Sequence, residues 1–193
     1  MRIITGRARG AKLQAPEGQT TRPTAERTKE AVFSMLQGCF EGGLVLDLFA
    51  GSGQMGLEAV SRGASSAILV DSDKAALAAV RQNAEHTKLA PFVRVVAGEA
   101  LAFLRSYRGE PFSLVLLDPP YGKGLVSQCL TLLSEGGLLS PAATVVCETG
   151  NGEEVFGGNG ALASRFTVLR STRYGVAHIT LLAPSSDGKE VAP

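Results

Sequence analysis

The sequence of 193 residues lacks several features of common functional sites. It has only three cysteines, Cys39, Cys129 and Cys147, and none of them stands at the paired spacing of zinc ligands or redox motifs. Its two histidines, His86 and His178, have no Asp or Ser partner nearby in the sequence. We therefore expect no metal site and no hydrolytic triad, and we interpret the cysteines as small buried hydrophobic residues.

Long apolar runs are also missing. No stretch of about 18 apolar residues occurs, so no segment is expected to span a membrane. The N-terminus lacks the apolar stretch and the cleavage site of a signal peptide, and we expect the protein to be cytoplasmic. With 45% hydrophobic and 19% charged residues, the composition is that of a folded globular protein. The length fits one domain with an appended arm.

The net charge is only +1, but it is unevenly distributed. Residues 1–30 hold seven Lys and Arg residues against three Glu, whereas the rest of the chain holds twelve basic against fifteen acidic residues. A basic first segment on a slightly acidic body is typical of an arm that contacts phosphates, and a solvated basic stretch without a ligand is the alternative.

Apolar runs of strand type alternate with helical patterns in the middle of the chain. Strands are predicted at residues 44–49, 67–70, 93–97, 114–117 and 144–147, and helices at residues 56–61, 74–86, 100–106 and 126–133. Strands that are apolar on both faces and separated by helices indicate a parallel sheet covered on both sides. The sequence therefore predicts a doubly wound α/β domain.

Both ends of the chain depart from this alternation. Residues 166–171 and 176–182 are strand-like and joined by only four residues, which predicts an antiparallel hairpin and a mostly parallel sheet of seven strands. At the N-terminus, residues 2–4 and 12–14 predict a small hairpin, followed by a helix from an N-cap at Thr24 to about Gln37. Residues 150–160 are predicted as a loop. The resulting division is an arm (1–40), a catalytic domain (41–184) and a disordered tail (185–193).

A glycine-rich turn follows the first predicted strand. Gly51, Gly53 and Gly56 satisfy the pattern G-x-G-x-x-G, so an NAD-dependent oxidoreductase is one alternative. Asp47 lies four residues before Gly51, where its carboxylate could accept hydrogen bonds from the ammonium group of an amino-acid ligand and would repel a pyrophosphate. This arrangement suits a ligand that carries an amino-acid group, such as methionine, better than a dinucleotide.

Further cofactor contacts are predicted at the ends of the next two strands. Asp71 ends the second strand, where a carboxylate can bind both ribose hydroxyls of a nucleoside. Asp73 is predicted to cap the following helix instead. Glu99 and Ala100 follow the third strand, and Glu99 is either an adenine contact or a charge at a helix N-terminus.

The fourth strand ends in Asp118-Pro119-Pro120-Tyr121. Two consecutive prolines force a stiff, extended turn at the carboxyl edge of the sheet, where ligands bind. The Asp118 carboxylate and the Pro119 carbonyl could each accept one N–H of a nucleobase amino group and so direct its lone pair at a methyl donor. Tyr121 could stack on a base flipped out of its helix. We interpret these four residues as catalytic.

The chain resembles two groups of proteins, one nested in the other. The spacing of Asp47, Phe49, Gly51 and Gly53, with Ser52 between the glycines, resembles the first motif of class I methyltransferases, which holds S-adenosylmethionine. Three further stretches, residues 2–6, 22–33 and 173–175, resemble the bacterial methyltransferases that form N2-methylguanine in 16S ribosomal RNA. The pattern departs slightly from that family, with Glu26 where Asp is commoner.

The resemblance implies a methyl transfer to a guanine in the helix 31 loop, on an assembled or nearly assembled small subunit. The basic residues of the arm are then expected to contact phosphates around the flipped guanine; these are Arg7, Arg9, Lys12, Arg22 and Arg27. We expect a monomer without a metal. One alternative is a DNA adenine-N6 or protein-glutamine methyltransferase, but neither would account for the arm. Another is a non-catalytic RNA-binding module, which would not need Asp47, Asp71 and Asp118 together.

Overall fold

The computed structural model describes residues 1–16, 23–37 and 42–185, and for residues 23–27 it describes the backbone alone. Within these ranges one sheet has seven strands: β1 (Leu44–Asp47), β2 (Ser66–Asp71), β3 (Val93–Ala97), β4 (Phe112–Leu117), β5 (Leu139–Thr149), β6 (Phe166–Tyr174) and β7 (Ala177–Pro184). Their spatial order is β3-β2-β1-β4-β5-β7-β6. The first five strands are parallel, and β7 is antiparallel to both β5 and β6. The predicted mostly parallel sheet with a C-terminal antiparallel hairpin is confirmed.

The helices are α1 (Pro23–Met35), α2 (Gln54–Ser61), α3 (Lys74–His86), α4 (Ala100–Ser106), α5 (Leu125–Glu135) and the short α6 (Gly160–Ala163). The start of α3 shows why it forms where it does. Asp73 has an extended backbone, and its side chain accepts a hydrogen bond from the amide of Ala76 at 2.8 Å. This satisfies one of the free amides of the first turn, so the predicted N-cap is confirmed.

Two apolar layers cover the two faces of the sheet. Neighbouring residues on a strand point to opposite faces, so Val45 joins the layer that contains α2 and α3, whereas Leu46 joins the layer that contains α4 and α5. Cys129 and Cys147 are buried in the second layer, which confirms the predicted burial of these two cysteines. Cys39 lies outside the described residues. The sheet is therefore shielded on both sides, and its ligands must bind at an edge.

The N-terminal arm packs on the first layer. Arg2 and Lys12 form an antiparallel bridge, which confirms the predicted hairpin in a shorter form. The side chains of Ile3 and Leu13 are buried in the same apolar cluster as Phe33 of α1. The arm and the sheet therefore share one core. The division of the chain at residues 40 and 184 stays a prediction.

Several predicted boundaries are corrected by the structure. Strand β1 ends at Asp47, because Leu48 and Phe49 already belong to the turn, and β5 is longer than the predicted 144–147. Helix α1 begins at Pro23, a residue favoured in the first helical turn, so the predicted N-cap at Thr24 is wrong. The C-terminal hairpin turns through Gly175 and one further residue, more tightly than predicted.

Two other expectations concern the parts of the chain beyond the sheet. The predicted disordered tail lies outside the described residues from position 186 onward. In the described ranges, none of the helices has the length and apolar character needed to cross a membrane.

Candidate active site

Two carboxylates hold the glycine turn between β1 and α2. The amide of Gly56 donates to Oδ2 of Asp47 at 2.8 Å, and the amide of Gly51 donates to Oδ2 of Asp71 at 2.8 Å. Gly51 and Gly53 have φ values of 54° and 76°, a left-handed backbone that favours glycine. A Cβ on Gly53 would also lie 3.0 Å from Leu69. The turn is thus fixed by its neighbours before any ligand binds.

A cavity of about 430 Å³ opens beside this turn. It lies at the carboxyl ends of β1 and β4, where the strand order reverses, which is the usual ligand site of such sheets. Predicted site residues that line it are Asp47, Phe49, Gly51, Ser52, Asp118 and Tyr121. The arm closes one side of the cavity with Met1, Ala15, Pro16, Thr28 and Lys29.

The remaining predicted site residues lie outside the wall of this cavity. Gly53 is buried within the glycine turn, and Asp71 lies at the end of β2 with its carboxylate bonded to that turn. Pro119 and Pro120 follow Asp118 in the separate turn after β4. Glu99 occupies the N-cap position of α4 without a side-chain capping bond, followed by the buried Ala100. Gly98, next to Glu99, donates to the carbonyl of Asp71 at 3.0 Å, so these residues extend the same sheet edge beyond the cavity.

Two carboxyl groups of this cavity have raised pKa values because they are buried and lie near other carboxyl groups. Burial raises the pKa of Asp47 to about 7, against the lowering effect of the Gly56 hydrogen bond and with a further increase from Asp71. Burial, followed by the charges of Glu148 and Asp47, raises the pKa of Asp118. The carboxyl groups of Asp47, Asp118 and Glu148 line the same cavity and repel one another when ionised. The site therefore favours a cation or a ligand rich in hydrogen-bond donors.

The turn after β4 presents two acceptors. The Asp118 side chain faces the cavity, where solvent reaches it. The protein groups packed around it still raise its pKa. Within the described part of the chain, neither its carboxylate nor the Pro119 carbonyl receives a hydrogen bond from the protein. Tyr121 is 42% exposed and donates its hydroxyl proton to Oε1 of Glu148.

Glu153 fixes the loop that carries Tyr121. Its carboxylate accepts hydrogen bonds from the amides of Gly122 at 3.1 Å, Gly124 at 3.2 Å and Gly150 at 3.4 Å. The ring of Tyr121 packs on the backbone of Gly150, where an added Cβ would lie 2.9 Å from it. The loop after the two prolines is therefore held against the end of β5.

The arm is joined to α2 by a buried carboxylate. Glu58 accepts hydrogen bonds from the amides of Ile4 at 2.7 Å and Thr5 at 3.1 Å, and from Nε of Arg62 at 2.7 Å. Nζ of Lys29 on α1 lies 3.7 Å from it, and both side chains are fully buried. This cluster joins both the hairpin and α1 to α2.

The predicted RNA contacts fall into two groups. Arg7, Arg9 and Lys12 are exposed on the hairpin, with the guanidinium of Arg7 lying 4.5 Å from the ring centre of Phe92. Arg22 and the side chain of Arg27 lie outside the described residues. The amide of Arg7 donates to the carbonyl of Ser61, the last residue of α2, at 2.9 Å. The tip of the hairpin therefore presents its basic side chains to solvent at the end of α2 away from the glycine turn.

Sequence reasoning missed Glu148, Glu153 and the pair formed by Lys29 and Glu58. A signal for Glu148 was present, because it follows the predicted strand 144–147 directly and so reaches the same sheet edge as Asp118. The others depend on long-range packing, since Lys29 and Glu58 are 29 residues apart.

Comparisons with known proteins agree with this architecture. A family model described as Conserved hypothetical protein 95 matches residues 1–183. Ribosomal RNA small subunit methyltransferase D of Escherichia coli (strain K12) is 38% identical over 149 residues, covering 77% of this chain and 74% of that protein. Its counterpart from Haemophilus influenzae is 36% identical over 151 residues, covering 77% and 78%.

Solved structures give the same result. The Escherichia coli protein yhhF superimposes with a TM-score of 0.82 at 33% identity, covering 96% of this chain and 98% of that one. A conserved hypothetical protein of Streptococcus pyogenes superimposes with a TM-score of 0.73 at 34% identity, covering 81% and 95%. The chain therefore belongs to the family of the ribosomal RNA small subunit methyltransferase D proteins, the family described as Conserved hypothetical protein 95.

Proposed function

We propose that this protein transfers a methyl group from S-adenosylmethionine to the exocyclic N2 amino group of a guanine in 16S ribosomal RNA. The target implied by the family resemblance is the helix 31 loop of an assembled or nearly assembled small subunit. The observation that carries the proposal is a pair of acceptors, the Asp118 carboxylate and the Pro119 carbonyl, that receive no hydrogen bond from the described residues, with Asp118 lining the same cavity as the glycine turn. Family relatives whose names specify small-subunit ribosomal RNA support the substrate.

The acidic cavity fits the cofactor. Oε1 of Gln54, which lines the cavity, is buried and has no hydrogen-bond partner among the described residues, so it offers an acceptor to a ligand. Asp47 would bind the ammonium group, and Asp71 the ribose hydroxyls. S-adenosylmethionine supplies, when bound, a methyl group on a cationic sulfonium, and a site lined by carboxylates stabilises that charge.

The other predicted cofactor residues complete the assignment. Phe49, Gly51 and Ser52 line the cavity, and Gly53 shapes the turn behind them. Glu99 and Ala100 would contact the adenine further along the sheet edge, beyond Asp71. Their position next to Gly98 supports this, because Gly98 is hydrogen-bonded to the backbone of Asp71.

Asp118 and Pro119 would activate the amino group. Each accepts one N–H of the guanine N2, which draws the nitrogen towards sp³ geometry and directs its lone pair at the methyl donor. As the new N–C bond would form, the bond between the methyl carbon and the sulfonium would break and its electron pair would pass to sulfur, which leaves as the neutral thioether S-adenosylhomocysteine. The nitrogen then becomes acidic, and one of its protons would pass to the Asp118 carboxylate. The raised pKa of Asp118 suits this step, because it makes the carboxylate a stronger base. Pro120 stiffens the turn, and Tyr121 would stack on the base.

The arm would bind the RNA. Arg7, Arg9 and Lys12 face solvent on the hairpin, whose outer residues Met1 and Ala15 line the cavity. Arg22 and Arg27 are assigned the same role from the sequence. Phosphate contacts of this kind position the RNA without reading its sequence, so base recognition must come from the cavity. We further propose that the protein acts as a monomer in the cytoplasm and needs no metal.

Tritiated S-adenosylmethionine tests the proposal directly. Incubation with small subunits, followed by digestion to nucleosides, should give labelled N2-methylguanosine with the wild-type protein and no label with Asp118→Ala. Label in N6-methyladenine of added DNA, or in protein glutamine, would instead identify one of the alternative methyltransferases. Binding of S-adenosylhomocysteine but not NAD would exclude the oxidoreductase.

A further inference from the structure

A second carboxylate stands next to Asp118. Cys147 on β5 pairs with Leu117, the last residue of β4, so the next residues along the two parallel strands are Glu148 and Asp118. Both line the cavity, and the negative charge of Glu148 contributes to the raised pKa of Asp118. The acceptor proposed for the guanine amino group therefore has a neighbouring carboxylate in the same pocket.

Glu148 is held in place by the base-stacking loop. Its Oε1 accepts the hydroxyl proton of Tyr121, and the loop of Tyr121 is anchored by Glu153 and packs on Gly150. The other oxygen, Oε2, receives no hydrogen bond among the described residues. One oxygen is thus used for positioning, and the other is left for a ligand.

The chemistry of nucleobases shows what this oxygen can select. An ionised carboxylate only accepts hydrogen bonds. Guanine carries a second donor, N1–H, directly beside its N2 amino group, whereas adenine at N1 and cytosine at N3 present a lone pair next to their amino groups. A carboxylate would bind the guanine edge and repel the other two. A base read after flipping is read on this Watson–Crick edge.

We propose that Glu148 accepts the N1–H of the target guanine and thereby makes the enzyme specific for guanine. This inference rests on the proposed function, because it assumes that the N2 amino group is held by Asp118 and Pro119. It assigns the two carboxylates different tasks: Asp118 activates the amino group, and Glu148 identifies the base that carries it. Tyr121 links the tasks, because the residue proposed to stack on the base also orients the acceptor.

The base 2-aminopurine provides the test, since it keeps the reacting N2 amino group but has a lone pair at N1. Small subunits are reconstituted with guanine or 2-aminopurine at the position that the wild-type enzyme methylates. We expect wild-type kcat/KM to favour guanine by about a hundredfold or more, as is typical of sites built around a hydrogen bond. Glu148→Gln should lower kcat/KM for guanine about tenfold and reduce the preference to less than about tenfold, because its amide can donate to N1.

The design separates recognition from other effects. Glu148→Gln keeps an oxygen for the Tyr121 hydroxyl, so unchanged S-adenosylhomocysteine affinity and melting temperature are expected. Glu154→Gln is the matched control, because Glu154 is exposed on the following loop and does not line the cavity; it should retain the full preference. 2-Aminopurine also lacks O6, but a lost O6 contact would weaken it equally in both enzymes.

The outcomes distinguish the inference from the function on which it rests. Equal methylation of guanine and 2-aminopurine by the wild-type enzyme would overturn the role of Glu148 while establishing transfer to N2. An unchanged preference in Glu148→Gln would overturn it as well. If the wild-type enzyme methylates N2 of neither base, the proposed function itself fails.

Discussion

The substitution Glu58→Ala perturbs the junction between the arm and the sheet. The Glu58 side chain is fully buried and accepts two backbone hydrogen bonds from the hairpin, at Ile4 and Thr5. It also pairs with the Nε of Arg62 at 2.7 Å and lies 3.7 Å from Nζ of the buried Lys29. Alanine removes all four interactions at once.

The expected destabilisation is large because most of these groups cannot be rehydrated without moving the arm. Removing one partner of a buried ion pair costs about 3–5 kcal/mol. For a chain of this size each kcal/mol lowers the melting temperature by about 2–4 °C, so a decrease of roughly 6–20 °C is expected. Ala15 and Pro16, which follow the hairpin, line the cavity, so S-adenosylhomocysteine affinity should also fall.

Thermal and urea unfolding of purified protein measure the effect. The control is Glu135→Ala, because Glu135 forms an exposed pair with Arg165 at 3.6 Å, and such pairs contribute less than about 1 kcal/mol. The double variant Lys29→Met, Glu58→Leu should be more stable than Glu58→Leu alone, since it leaves no buried cation. If Glu58→Ala unfolds like the Glu135→Ala control, the buried cluster does not hold the arm.

Three further predictions concern the site. Asp71→Ala should weaken S-adenosylmethionine binding by about 1–3 kcal/mol in calorimetry while the protein stays folded, and unchanged affinity would remove Asp71 from the ribose site. Burial raises the pKa of Asp47 to about 7, so its carboxyl group ionises as the pH rises through that value. Cofactor affinity should therefore increase between about pH 6 and 8. An affinity that does not change over this range would contradict the pairing of Asp47 with the ammonium group. The double variant Arg7→Ala, Arg9→Ala should raise KM for small subunits at least about tenfold, which corresponds to about 1.4 kcal/mol, and should make KM less dependent on salt. A wild-type KM with a wild-type salt dependence would exclude the hairpin from RNA binding.

The parts of the structure that follow from local patterns were predictable from the sequence. Strand β3 and helices α3 and α4 were predicted with the observed bounds, because apolar periodicity and a helix cap decide them. The glycine turn and the Asp-Pro-Pro-Tyr motif were placed correctly at one sheet edge, since parallel strands bring their carboxyl ends together.

Features that depend on contacts distant in sequence were not predictable. The residues around Lys29 in the sequence do not predict its burial against Glu58, because a lysine on the exposed face of a helix could have the same sequence around it. Strand β5 was predicted too short, because its first residues, which include Pro141, are partly or fully exposed and lack an apolar pattern. The role of Glu153 depends on a turn that brings it to Gly122, 31 residues away.

The most direct test of the central claim is a nucleoside mass map of 16S ribosomal RNA from cells with and without this protein. The proposed function predicts one N2-methylguanosine, in the helix 31 loop, that disappears when the gene is deleted. It should return with the wild-type gene and not with Asp118→Ala. An unchanged map in the deletion strain, or a missing methyl group on any base other than guanine, would contradict the proposal.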